Sequence, residues 1–256
     1  MNLESMLEAA REAATAGADI LRTHFGALRD VRAKAPGDWV SEADLASEAA
    51  VREVLSTRTG LPVHGEEEGG VRGDTEWLVD PLDGTANFVH GFDAVAVSIG
   101  LVREGVPVVG VVAAPFLART YWATAGGGAF RDGVPIHVST RAPEQAIVAT
   151  GFPFRRKHIL EQYLPAFERV LRSFEDVRRV GAAALDLCWT AEGVFDGYFE
   201  LALGPWDVAA GGLIVREAGG VVTDWAAGSD AWVTTGDVVA GPPGVHSALL
   251  ELLAPG

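Results

Sequence analysis

The chain has a single cysteine, Cys188, among 256 residues, so no disulfide can form within it. It has no apolar run near the roughly 18–20 residues that a membrane helix needs. Positive charge is scarce. The 20 Lys and Arg stand against 35 Asp and Glu, which gives a formal net charge of −15 and a pI near 4.7. Such a surface repels nucleic acid and anionic membranes, so neither is expected as a direct partner. It would also repel a phosphorylated substrate unless bound cations reversed the local field. His24, His64, His90, His137, His158 and His246 are scattered, with no H-E-x-x-H and no Cys/His cluster, which argues against zinc. The opening "MNLESMLEAAREAA" interleaves apolar residues with Glu4, Glu8, Arg11 and Glu12. It reads as an amphipathic helix and lacks the basic start and apolar stretch of a signal peptide. The expectation is a cytoplasmic protein.

What is present is enough apolar residue, 48% of the chain, for one large domain or two closely packed ones. The spacing of Leu3, Met6, Leu7, Ala10, Ala14, Leu21 and Phe25 predicts a helix over 3–25, stopped by Gly26. A second helix is expected from Ser41, with Leu45, Val51, Val54 and Leu55 as its apolar positions. Pro62–His64 reads as a short strand. The Val-rich stretch from Ala94 to Ala114, broken at Glu104-Gly105, predicts two paired strands. Short strands continue to Val138, with turns at Gly126–Gly128 and Asp132-Gly133. Beyond Thr140 strands (146–150, 177–180, 196–200, 221–222, 238–240) alternate with helices (158–173, 182–192, 206–218, 246–253). An α+β segment, 1–140, followed by an α/β segment, 141–256, is expected.

Acids gather at element ends. They are Asp44 in "WVSEAD", Glu66, Glu67 and Glu68 in "GEEEGG", Asp80 and Asp83 in "DPLDGT", and Asp207 in "GPWDVAAGG". Each has a plain structural alternative. Asp44 stands three residues after Ser41 and could complete a capping box. Asp207 follows Pro205 and could favour a helix start through the dipole. Glu66–Glu68 could be a solvated turn. The "DPLDGT" pair is harder to dismiss. Pro81 should end the strand that leads to Asp80, and the turn can then aim Asp80 and Asp83 into one space. Two close carboxylates repel unless a cation joins them, and oxygen ligands alone suit Mg²⁺ or Mn²⁺.

Two phosphatase patterns compete for this motif. The haloacid dehalogenase signature, D-x-D-G-T with a nucleophilic first Asp, is one residue shorter than D-P-L-D-G-T. Side chains two apart on a strand share a face, and those three apart do not without a turn. The sequence as a whole resembles the inositol monophosphatase family, in particular its bacterial branch. The resemblance rests on "KAPGDWVSEAD", "GEE", "WLVDPLDGTANF" and "WDVAAGGLIVREAGG", in that order and over nearly the whole chain, with "TGFPF", "VGAAALD" and "DGYFE" between them.

That resemblance implies a layered αβαβα sandwich of two subdomains with the site between them. It implies hydrolysis of inositol-1-phosphate to inositol and phosphate by direct attack of a metal-activated water. It further implies Mg²⁺ as cofactor, Mn²⁺ as substitute, inhibition by Li⁺, a small phosphate ester as substrate and a homodimer. Matched position by position, Glu66, Asp80, Asp83, Asp207 and the Leu82 carbonyl would bind metal, with Glu67 in the outer shell. Asp44 and Thr85 would hold the attacking water. Gly84 and Thr85 would offer backbone N–H groups to phosphate, and Gly181, Ala183, Glu200 and Asp207 would meet the ring. Gly204 stands where some members carry a polar side chain. Relatives hydrolyse histidinol phosphate, fructose-1,6-bisphosphate or 3′-phosphoadenosine-phosphate, and some bacterial relatives associate with the transcription apparatus. Those activities, and a binding role on the same fold, are the alternatives.

Overall fold

The computed structural model describes residues 2–28, 30–35, 38–154, 156–226 and 231–254. Pro36 and Gly37 of the first motif lie outside them. Helix α1 (Leu3–His24) starts at Asn2, whose side chain accepts from the Glu4 N–H, and buries a small-residue face that includes Ala10, Ala14 and Ala18. A hairpin of β1 (Val31–Ala35) and β2 (Asp38–Ser41) leads into α2 (Glu42–Thr59), which Gly60 ends at φ 65°. Next come β3 (Val63–Gly65), β4 (Thr75–Asp83) and the short α3 (Thr85–Val89). The strands β5 (Ala96–Arg103), β6 (Val106–Ala114), β7 (Arg119–Thr124), β8 (Gly128–Arg131) and β9 (Val134–Pro135) follow. These make a seven-stranded sheet in the order β3-β4-β5-β6-β7-β8-β9. Glu104 and Gly105 link β5 to β6 with φ of 52° and 81°, the two-residue turn whose twist matches a right-twisted hairpin.

The remaining elements are β10 (Ile147–Thr150), α4 (Leu160–Ser173), β11 (Asp176–Arg178), α5 (Ala183–Ala191), β12 (Gly197–Glu200), α6 (Pro205–Glu217), β13 (Val221–Thr223), α7 (Trp232–Thr235), β14 (Val238–Gly241) and α8 (Pro243–Leu253). Their strands form a mixed five-stranded sheet, β11-β10-β12-β14-β13. The final helix begins three residues before the expected His246, because Pro243 suits the first helical position, where an N–H has no partner in any case.

Three cores hold five layers together. Leu21, Val51, Leu55, Trp77 and Ile99 join α1 and α2 to the outer face of the large sheet. Val112, Tyr121, Leu187, Ile214 and Tyr198 fill the space around α5 and α6, between the two sheets. Val148, Tyr163, Phe199 and Leu249 pack α4 and α8 on the far face of the small sheet. The architecture is the layered αβαβα sandwich. Helix α6 sits so close to the large sheet that a Cβ on Gly100 would lie 2.8 Å from Ala209 Cβ, and one on Gly110 would lie 2.7 Å from the Ala210 carbonyl oxygen. That approach needs the small residues on both sides, and it fixes where the start of α6 is delivered. We propose the division near residue 140 as a boundary in the chain alone, since α5 and α6 of the second half pack against the first sheet.

One helix departs from the pattern expected of it. Leu45 of α2 is 47% exposed. The buried face of α2 carries Ala43, Asp44, Ser47, Glu48, Val51 and Leu55, so half of it is polar.

Candidate active site

Strand β4 does not stop at Asp80. It runs through Pro81 to Asp83, with Asp80 opposite Ser98 and Asp83 opposite Ala96. Three steps on one strand oppose two on the other, which is a bulge. Pro81 lies within it, where a missing N–H costs the ladder least. The extra residue brings Asp80 and Asp83 to the same cleft, which a regular strand would not do for residues three apart.

The other acids arrive from two further elements. Glu66 follows β3, and its N–H donates to the Val79 carbonyl at 3.0 Å, beside Asp80. Asp207 sits in the first turn of α6, after Pro205. Its Oδ2 accepts from the Gly204 N–H at 2.7 Å, the half of a capping box that a glycine allows. A side chain at 204 would place Cβ 2.6 Å from the Trp206 indole, so a polar residue there would have to displace that ring. Carboxylate oxygens of Glu66, Asp80 and Asp207 lie within 4.8 Å of one another. Asp83 is held slightly apart, accepting from Ala183 N at 3.1 Å and Ala184 N at 2.7 Å at the start of α5.

Without a cation this arrangement is costly. Burial, then the charges of Glu66, Asp207 and Asp83, hold the Asp80 carboxyl well above the usual carboxylate range. Burial, then Asp207, raises Asp83 to about 8, against the opposing pull of its two N–H donors. All-oxygen donors, crowded and repelling, fit Mg²⁺ or Mn²⁺.

A pH test follows. The folded chain keeps a proton on Asp83 where the unfolded chain, with an ordinary value near 4, has lost it. Stability of the metal-free protein should therefore fall as pH climbs towards about 8 and level off above. A cation such as Mg²⁺, if held by these carboxylates, would compete with that proton. Its thermal upshift should be larger at about pH 8.5 than at about pH 6; an equal upshift in scanning fluorimetry would contradict this.

Asp44 caps α2 and also reaches Thr85. Its Oδ2 accepts from the Ser41 N–H at 2.8 Å and the Ser41 hydroxyl at 2.6 Å, completing the cap of α2. Its Oδ1 accepts from the Thr85 hydroxyl at 3.1 Å. Burial pushes Asp44 upward, and these donors oppose the shift. Gly84, at φ 89°, starts α3, and a Cβ there would lie 3.1 Å from the Ala94 carbonyl oxygen. Glu66, Asp80, Leu82, Asp83, Gly84, Thr85 and Asp207 line one cleft of about 740 Å³ with Gly181, Ala183 and Glu200. Gly181 has φ 90°. The Glu200 Oε2 accepts from the Tyr198 hydroxyl at 2.5 Å. Glu67 follows Glu66 in the same turn, half-buried, and is not among the residues that line the cleft.

Sequence reasoning missed Ser47, Glu48 and Tyr198. The Ser47 hydroxyl donates to the Pro81 carbonyl at 2.9 Å, and Glu48 binds the turn that carries Glu66. A signal existed: both fall in the buried phase of α2, where apolar residues are the default.

Residues 2–255 match the model of the inositol monophosphatase family. A protein of Aquifex aeolicus named fructose-1,6-bisphosphatase/inositol-1-monophosphatase is 40% identical over 98% of this chain and 96% of its own. The Escherichia coli Nus factor SuhB is 38% identical over 97% of this chain and 95% of its own. The crystal structure of the extragenic suppressor protein suhB from Bartonella henselae superposes with a TM-score of 0.92, at 36% identity, over 99% of both chains.

Proposed function

Because the chain belongs to the inositol monophosphatase family, and so to a family of phosphatases, we propose that it is a Mg²⁺-dependent phosphomonoesterase acting on inositol-1-phosphate. The observation that supports this most is the convergence of Glu66, Asp80 and Asp207 within 4.8 Å, next to the buried Asp44–Thr85 pair. Glu66, Asp80, Asp83, Asp207 and the Leu82 carbonyl would hold the cations. When bound, the cations supply neutralisation of the phosphate, acidification of water and stabilisation of the leaving alkoxide.

The chain's own residues do the rest. The Thr85 hydroxyl has one proton and two acceptors, Asp44 Oδ1 and the Leu82 carbonyl oxygen, each at 3.1 Å. The carboxylate is the stronger acceptor, so the Thr85 hydroxyl donates to Asp44, and the Thr85 oxygen is left to accept a hydrogen bond from the attacking water. Glu67 is assigned to the outer shell of the cations. The N–H groups of Gly84 and Thr85 are assigned to the phosphate, in keeping with helix starts as anion sites.

Glu200 is assigned to the vicinal hydroxyls of the polyol, with Gly181, Ala183 and Asp207 around the ring. Tyr198 leaves the Glu200 carboxylate able to accept further hydrogen bonds while fixing its orientation. Glu200→Ala should raise KM for inositol-1-phosphate far more than for an aryl phosphate, which has no ring hydroxyls. A hydrogen bond to a charged group contributes roughly 1.5–3 kcal/mol, so discrimination should change by about 10- to 150-fold. Equal effects on both substrates would remove Glu200 from ring recognition. A wild-type preference for fructose-1,6-bisphosphate, histidinol phosphate or a nucleotide bisphosphate in a Mg²⁺ assay panel would overturn the substrate and leave the metal chemistry standing.

A second reading, a partner-binding role beside catalysis, draws on the Nus-factor name of the Escherichia coli relative. Among the described residues no helix is long and apolar enough to cross a membrane.

A further inference from the structure

The turn that presents Glu66 is gripped from behind by a second carboxylate. Glu48, on α2, has no exposed side-chain surface. Its Oε2 accepts from the Glu67 N–H at 2.9 Å, and its Oε1 accepts from the Glu68 N–H at 3.1 Å and from Arg52 Nη2 at 2.6 Å. Arg52 extends the grip to both ends of the turn. Its Nη1 donates to the Val63 carbonyl at 2.7 Å and its Nη2 to the Gly69 carbonyl at 2.9 Å. Gly65 makes the fit possible, because a Cβ there would lie 2.3 Å from the Glu48 carboxyl carbon. On its other side the turn is tied to β4 by the Glu66 N–H on Val79. The backbone at 66–68 is therefore held from both sides, and the Glu66 carboxylate is delivered to Asp80 and Asp207.

A solvated turn would need none of this. Burying a carboxylate is costly unless it is paired and hydrogen-bonded, and here every donor around Glu48 belongs to this turn or to its clamp. The same helix face repeats the pattern. Asp44, Ser47 and Glu48 stand three and four residues apart, on one side of the helix. They engage respectively Thr85, the Pro81 carbonyl and the Glu66 turn; Thr85 and Glu66 line one cleft, and Pro81 stands between its Asp80 and Leu82.

We propose that Glu48, clamped by Arg52, is a positioning residue for the metal site: it sets the Glu66 carboxylate for the cation and so governs divalent-metal affinity. The proposal rests on the metal-dependent reading above, and the test keeps the two apart. Mn²⁺ binding is measured by electron paramagnetic resonance on the purified protein without substrate. Glu48→Gln keeps the shape but can accept fewer of the donors, and it turns an N–H towards one of them. Groups that orient metal ligands typically change affinity by 10–100-fold when removed. The Mn²⁺ dissociation constant should therefore rise by about that range, with kcat at saturating Mg²⁺ within about threefold of wild type. Arg52→Gln, at the edge of the clamp with its side chain 24% exposed, should weaken binding in the same direction and serves if Glu48→Gln fails to fold. Glu53→Gln removes the same charge from the exposed side of α2 and should leave Mn²⁺ affinity unchanged. If Glu48→Gln and Arg52→Gln lose thermal stability but bind Mn²⁺ within twofold of wild type, the clamp only braces the fold and the proposal is overturned. A wild-type protein that binds no Mn²⁺ would instead sink the metal-dependent reading itself.

Discussion

Asp80→Asn is expected to lower turnover by about 10³-fold or more while raising the melting temperature of the metal-free protein. The two effects have one cause. Asp80 is buried beside Glu66, Asp207 and Asp83, and its carboxyl is held well above the ordinary range by burial and by those three charges. Its Oδ1 accepts from the Leu82 N–H at 2.9 Å, a bond that the Asn carbonyl retains. The substitution therefore removes a repelling charge without breaking the bulge of β4. On the proposed function, losing it also removes a cation ligand, and cation catalysis of this kind contributes several kcal/mol, at about 1.4 kcal/mol per tenfold in rate. Destabilisation together with near-normal turnover would show that Asp80 is a structural acid and no ligand.

Thr85→Ala should cut kcat by about 10²–10⁴-fold, the usual span for a lost general-base contribution, with KM and Mg²⁺ affinity little changed. The Thr85 hydroxyl is buried between Asp44 and the Leu82 carbonyl, so the role proposed for it is to direct a proton and not to bind the ester. Asp44→Asn tests the same unit from the other side. Asn caps a helix well, but Asp44 stands at the third helical position, accepting from Ser41 and Thr85 together. It should lose both some thermal stability, by disturbing the cap of α2, and most of kcat, by misdirecting the Thr85 proton. Near-wild-type kcat in Asp44→Asn would leave Asp44 with the cap alone.

The parts of this site that were legible in the sequence are those where residue type and spacing leave few alternatives. A proline between two aspartates, followed by Gly84 and Thr85, announced a special strand end. The small residues at 209–212 let α6 press against the large sheet, where Gly100 and Gly110 come close to Ala209 and Ala210. The five-layer order came with the family resemblance, since no local pattern says which helix covers which sheet. Other features were not legible, for definite physical reasons. A proline breaks a regular ladder, so Pro81 predicts a strand end, whereas a bulge accommodates it and carries pairing on to Asp83. Leu45 is one of the apolar positions expected of α2, and such positions usually mark the buried face, yet it is exposed. On α2 that face instead turns Asp44, Ser47 and Glu48 inward to hold backbone and hydroxyl groups of the cleft. Tertiary hydrogen bonding overrode the hydrophobic pattern there, as happens where a fold supports a reactive site.

The central claim is that the carboxylate cluster exists to hold cations that make a phosphate ester reactive. It is tested most directly by stripping the protein with chelator and following phosphate release from inositol-1-phosphate as Mg²⁺ is titrated back. The account predicts no release above background in the stripped protein and saturable recovery on Mg²⁺ addition, abolished in Asp80→Asn. Undiminished phosphate release in metal-free buffer would contradict it.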